Sequence, residues 1–219
     1  MRQRVRALVA VGVLVLGTGG AGTAQAAVAA PRCPTAELFA TDNTAIITDP
    51  ADPRLRDRLQ RFGHDVRAII HANGARPGAS TLLDGVFWSG ELKRATHERS
   101  RVFDVSKVNR DGLRHIAGVV AKRYHQESVL TFRCLPRTSR EVDAVEIRAA
   151  GVSARALHDI LVADPEAREE LGGGSVTLDG RLILVAPLGD LPLARKFTQS
   201  LGVDWRKAEV RYGDEEFVS

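Results

Sequence analysis

Residues 53–74 read PRLRDRLQRFGHDVRAIIHANG, and their reading sets the frame for the rest of the chain. Leu55, Leu59, Phe62, Val66 and Ile69 recur at spacings of four, three, four and three, with Ile70 beside them. That period puts them on one face of an amphipathic helix. Asp52 is placed to cap the helix, and Pro53 suits its first position, where the missing N–H costs nothing. Asn73-Gly74 ends it, since both residues tolerate the left-handed turn that closes a helix.

Reading outward, Thr44 to Thr48 before the helix is a short apolar run that predicts a strand. After the helix, Ser80 to Trp88 and Arg99 to Val105 read as strands separated by a polar loop. Asn109 or Asp111 opens a second helix carrying Leu113, Ile116, Val119, Val120 and Tyr124. Ser128 to Cys134 is the closing strand, ended by Leu135-Pro136. The order is β-α-β-β-α-β, and the remainder of the chain repeats it. Val142 to Arg148 is a strand, and Ser153 caps a helix with Leu157, Ile160 and Leu161. Asp164-Pro165-Glu166 restarts a helical segment that stops at Gly172-Gly173-Gly174. Ser175 to Leu178 and Leu182 to Ala186 flank Asp179-Gly180 as a hairpin. Pro192 to Leu201 is helical, Ala208 to Tyr212 is the last strand, and 213–219 reads as a frayed end.

This order describes the split βαβ, ferredoxin-like unit, with both helices on one sheet face. The expected fold class is therefore α+β, as two tandem ferredoxin-like units following a signal peptide. Residues 1–26 form the signal, 27–39 an irregular tail, 40–138 the first unit and 139–219 the second. The open sheet faces are expected to pack against each other. A single larger α+β domain is the alternative.

The signal rests on three features. Arg2, Arg4 and Arg6 make a basic start, Ala7 to Leu16 is apolar, and Ala24-Gln25-Ala26 offers small residues for cleavage. The apolar run is shorter than the roughly 18 residues of a membrane span, so no membrane anchor is expected after the signal is removed. The whole chain has 31 Lys+Arg and 27 Asp+Glu. Without the signal's three arginines it carries 28 basic and 27 acidic residues, a balance of +1. That balance argues against nucleic acid as a partner. In an oxidising compartment Cys33 and Cys134 read as a disulfide, worth roughly 4–5 kcal/mol for a loop of this length in the chain-entropy model. Two buried thiols and an intermolecular bridge are the competing readings.

Three stretches carry a family resemblance. They are Thr81-Leu82-Leu83-Asp84 with Trp88, Glu98-Arg99-Ser100-Arg101-Val102, and Gln126-Glu127-Ser128-Val129-Leu130 following Lys122-Arg123-Tyr124. On these, residues 40–135 resemble a domain-of-unknown-function family of short secreted bacterial proteins. The resemblance implies secretion and an α+β fold, and it implies no activity.

Site candidates are few. Glu127 and His125, at the helix-to-strand handover, could meet Asp49 as acid–base groups. The competing reading is that Gln126 and Glu127 fix a tight turn. Trp88, His97 and Glu98 could line a ligand pocket or form a solvated hairpin tip. The histidines show no metal-ligand spacing, and Gly172-Gly173-Gly174 follows a helix where a phosphate loop would follow a strand. No metal or cofactor is expected. The reading favoured is a secreted, non-enzymatic binding or interaction module for an extracellular protein or small molecule. An extracellular acid–base enzyme with its site between the units is one alternative. A protease inhibitor or propeptide-like protein with a protruding C-terminal tail is the other.

Overall fold

The computed structural model describes residues 35–45, 52–89, 94–96, 101–135 and 139–219. Nine strands and five α-helices follow the order β1 (Ala36–Ala40), α1 (Pro53–Ala72), β2 (Arg76–Ser89), β3 (Arg94–Thr96), β4 (Arg101–Ser106), α2 (Arg110–Arg123), β5 (Val129–Arg133), β6 (Ala144–Ala150), α3 (Ala154–Ala163), α4 (Pro165–Glu170), β7 (Gly173–Thr177), β8 (Arg181–Pro187), α5 (Leu191–Ser200) and β9 (Glu209–Val218). The caps read from sequence are in place. Asp52 accepts from the Arg54 amide at 2.9 Å, Asn109 from Gly112 at 2.8 Å, Ser153 from Ala156 at 3.1 Å and Asp164 from Ala167 at 3.0 Å. Each satisfies an amide that the helix itself leaves unpaired.

The strands do not form two tandem ferredoxin-like units. They form one antiparallel sheet in the order β3-β2-β4-β1-β5-β9-β6-β8-β7, and β2 also pairs with β7. Eight strands thus close into a ring, with β3 added on β2. Two long strands make the closure. β9 pairs with β6 through Glu209 to Gly213 and with β5 through Asp214 to Val218. β2 pairs with β4 from Arg76 to Leu82 and with β7 from Leu83 to Ser89. The physical reason is the sheet edge. Two separate four-stranded sheets would leave four edges of unpaired N–H and C=O groups, whereas a ring leaves none.

Three further expectations change. A strand, Ala36–Ala40, occupies part of the expected irregular tail, while Thr44 and Ala45 form a bend and 46–48 lie outside the described residues. Part of the expected polar loop is β3, paired antiparallel to β2. Residues 213–218 are not frayed; they are paired strand, and the protruding tail that an inhibitor reading requires is not there.

The helices cover the outside of the ring. Phe62 of α1 meets Phe103 of β4 and Tyr124 edge-to-face, at ring separations of 5.7 and 4.7 Å. They sit in a core with Leu38, Val66, Ile70 and Ile116. Leu157, Leu161, Phe197 and Leu184 anchor the matching core beneath α3 to α5. A third cluster joins Phe39, Leu83, Val102, Leu130, Phe132, Ala144, Ile183 and Val185. These come from six strands around the ring, so they fill its interior. Among the described residues no helix is long and apolar enough to cross a membrane.

Candidate ligand site inside the ring

Strand alternation sends every second side chain inward. Because Phe39, Val102, Ile183 and Val185 point in, Glu37 of β1 and Asp104 of β4 point in as well. So do Glu146 and Arg148 of β6 and Arg211 of β9. They lie towards one end of the ring, where β1, β8 and β9 begin and β4 and β6 finish. The opposite end is apolar, held by Phe39, Leu130, Val102 and Phe217.

Glu37 is 1% exposed and Glu146 is 0% exposed, so both carboxylates are fully withdrawn from water. Arg148 donates through Nη2 to Glu37 Oε1 at 2.8 Å and through Nε to Glu146 Oε1 at 3.0 Å. Arg211 donates through Nε to Glu146 Oε2 at 2.7 Å, and its Nη2 reaches both Glu37 and Glu146. The Arg211 guanidinium lies over the Phe132 ring, 5.9 Å from its centre. The two arginine side chains keep 21% and 18% exposure, so they are the accessible members of the cluster.

The network is not fully satisfied. Glu37 Oε2 and the Ser175 hydroxyl are buried without a hydrogen-bond partner among the described residues. Asp104 stands directly opposite Glu37 in the β1–β4 register. Burial, then the Glu37 charge, raise the Asp104 carboxyl above its usual range, against the pull of Arg148 and Arg211. Burial, then Glu37, push Glu146 up to about 8 against the same two guanidiniums. Crowded carboxylates in low dielectric hold a proton between them.

A second inward carboxyl lies apart from this cluster. Glu215 is pushed up to about 7, first by burial and then by Asp143 and Asp190. Its backbone amide donates to Asp143 Oδ1 at 2.9 Å. A carboxyl whose pKa rises on folding binds its proton more tightly in the folded chain. Its contribution is therefore complete below the unfolded value of about 4.5 and is lost as pH rises through about 7. Glu215→Gln should shrink the difference in urea midpoint between pH 5 and pH 8. An unchanged difference would place the burden on other groups.

The residues proposed from sequence stand elsewhere. His125 and Glu127 are exposed on the turn between α2 and β5, and Asp49 lies outside the described residues. The turn is a structural clasp. Gln126 Oε1 accepts from the Thr41 amide at 2.8 Å, and the Asn43 amide donates to the Tyr124 carbonyl at 3.0 Å. His125 takes the left-handed backbone, with φ 53°. The Trp88 backbone is in β2, paired with Gly174 of β7, and His97 and Glu98 lie outside the described residues. Cys134 is buried with Sγ 3.2 Å from the Tyr212 carbonyl oxygen, and Cys33 lies outside the described residues.

The interior cluster left a faint trace in sequence. Ala144-Val-Glu-Ile-Arg-Ala-Ala and Ala36-Glu-Leu-Phe-Ala are strands with charges set among small and apolar residues. Alternation alone assigns those charges to solvent. Only the closure of the ring turns that face inward.

No family model matches the sequence, and no curated protein matches it. Among solved structures, "Crystal structure study of anthrone oxidase-like protein" aligns at a TM-score of 0.25 and 10% identity, over 84% of this chain and 92% of that chain. A likeness of that size carries neither fold nor activity across to this chain.

Proposed function

We propose that the chain is a secreted, non-enzymatic binding protein that takes a small polar ligand at the charged end of its ring. The observation that carries this is the buried cluster of Glu37, Glu146, Arg148 and Arg211 with the Glu37 Oε2 atom left unpaired. Well-packed apolar residues would serve the fold as well or better, because buried charge pairs recover their desolvation cost poorly. A polar cluster kept in that position, reaching solvent through its arginines and the half-buried Asp104 beside them, has the composition of a ligand site. The leader of residues 1–26 supports secretion, and the resemblance of residues 40–135 to short secreted proteins agrees with it. In that compartment Cys33 and Cys134 form the expected bond.

The test reads the two arginines directly. The mature protein is titrated with propylammonium, propanol and propionate while the Nε–H signals of Arg148 and Arg211 are followed by NMR. At least one probe should move both signals and leave exposed Arg54 and Arg206 unmoved. If none does, the cluster is an internal brace and the binding reading fails.

An acid–base enzyme is the second reading, favoured by the burial of Glu146 beside Glu37, which pushes its carboxyl up to about 8. Turnover that disappears in Glu146→Gln while probe binding persists would select it.

A further inference from the structure

We propose that the ligand of this site is a small organic cation, a primary ammonium with a short alkyl body, held by Glu37 and Asp104. The proposal rests on the binding reading above and names the chemistry of its ligand.

Three carboxylates, Glu37, Asp104 and Glu146, meet two guanidiniums, Arg148 and Arg211, so the cluster is one positive charge short. Both guanidiniums are already committed. Arg148 bridges Glu37 and Glu146, and Arg211 reaches the same two carboxylates. An incoming anion would have to break those bonds and join three carboxylates in a desolvated space. A neutral ligand could not take the place of the proton that balances the unliganded cluster.

Geometry then says where the missing donor belongs. Glu37 Oε1 accepts from both arginines, whereas Oε2 is buried and accepts from no described residue. Asp104 lies across the strand pair from Glu37, on the same inward face. An ammonium seated there presents three donors to acceptors that lack them. The Ser175 hydroxyl, also unpartnered, lies on the same inward face two strands from Arg148, across Ile183. Ile183 and Val185, buried beside Arg148 and Glu146 in register, make that side of the cluster apolar.

The unliganded cluster makes up its deficit with a proton, in keeping with the raised Asp104 and Glu146 carboxyls. A cation that takes the proton's place must expel it. Binding and proton release are therefore linked, and the ammonium binds more tightly as pH rises. The groups facing the site are Glu37 on β1, Asp104 on β4, Glu146 and Arg148 on β6, and Arg211 on β9, with exposed Glu209 of β9 opposite Arg148 and exposed Arg181 of β8 at the rim.

Isothermal titration of the mature protein with propylammonium at pH 7, in two buffers of different ionisation enthalpy, tests this. Propylammonium should bind at least tenfold more tightly than propanol or propionate and release close to one proton. Glu37→Gln should weaken it about tenfold. Asp104→Asn, at a half-buried position that tolerates an amide, should weaken it several-fold and keeps the test open if Glu37→Gln fails to fold. Propionate or propanol binding more tightly, with the same dependence on Glu37, would overturn the cation while leaving the ligand site standing. No binding by any probe would remove both. Ammonium binding without proton release, or indifferent to both variants, would also overturn the proposal.

Discussion

Replacing Gly213 with alanine should lower the stability of the chain by about 3 kcal/mol, at the upper end of the cost of overpacking a tight contact. Gly213 is where β9 passes from β6 to β5, as the last residue paired with β6 before Asp214 opens the pairing with β5. A Cβ on it would stand 2.5 Å from the Arg133 carbonyl oxygen and 2.7 Å from the Phe132 ring. The oxygen is backbone in β5, so it moves only if the strand moves. The ring atom belongs to a phenylalanine that is fully buried and carries the Arg211 guanidinium. Relief therefore requires β5 and β9 to part, and that seam is one of the two joining the halves of the ring. Gly118 of α2 is the control. Its added Cβ would come no nearer than 3.9 Å to Val218, and alanine is the better helix former. Gly118→Ala should be stabilising by roughly 0.5–1 kcal/mol. Urea unfolding of both variants reads the contrast. Equal midpoints would mean that the β5–β9 seam has slack that the close approach denies.

The elements legible in the sequence were those specified by neighbours along the chain. Helix α1 announces itself through its apolar period, Asp52 and Asn73-Gly74, and the hairpin of β7 and β8 through Asp179-Gly180. These are local signals, and local chemistry decides them. The partner of a strand edge is not local. Nothing in Val129–Arg133 distinguishes a strand that ends a sheet from one that receives β9. The C-terminal residues Asp214, Glu215 and Glu216 look like a solvated tail because three acids in a row oppose burial. In the ring, Asp214 instead pairs with Arg133, Glu216 with Arg114 of α2, and Glu215 turns inward. The candidate site was hidden for the same reason. Glu146 and Arg148 alternate with Val145 and Ile147 as on any strand with one wet face. The closed ring converts that outer face into an interior, and Glu37, 109 positions away from Glu146 in sequence, becomes its neighbour.

Removing one arginine from the cluster should cost more than removing its two fully buried glutamates and both arginines together. Arg211→Met takes a guanidinium from two fully buried carboxylates and leaves Arg148 to serve both. The expected loss is about 3–5 kcal/mol, the usual penalty for a buried charge deprived of its partner. Substituting Glu37→Leu, Glu146→Leu, Arg148→Met and Arg211→Met together removes the desolvation cost and the attraction of those four groups at once, leaving only half-buried Asp104 of the cluster. Replacements of this kind range from neutral to stabilising by about 1–4 kcal/mol. The fourfold variant should therefore regain wild-type stability or exceed it, and it should lose the response to every probe. Its urea midpoint should also vary less between pH 5 and pH 8, because the raised Glu146 carboxyl weakens the wild type as pH climbs from about 4.5 towards 8. A fourfold variant no more stable than Arg211→Met would give the charges a different role. They would then specify how the ring closes, with register and strand order as their product. A variant that folds, gains stability and binds nothing separates the two roles. Its outcome would mean that this chain keeps an unfavourable interior for the sake of what enters it.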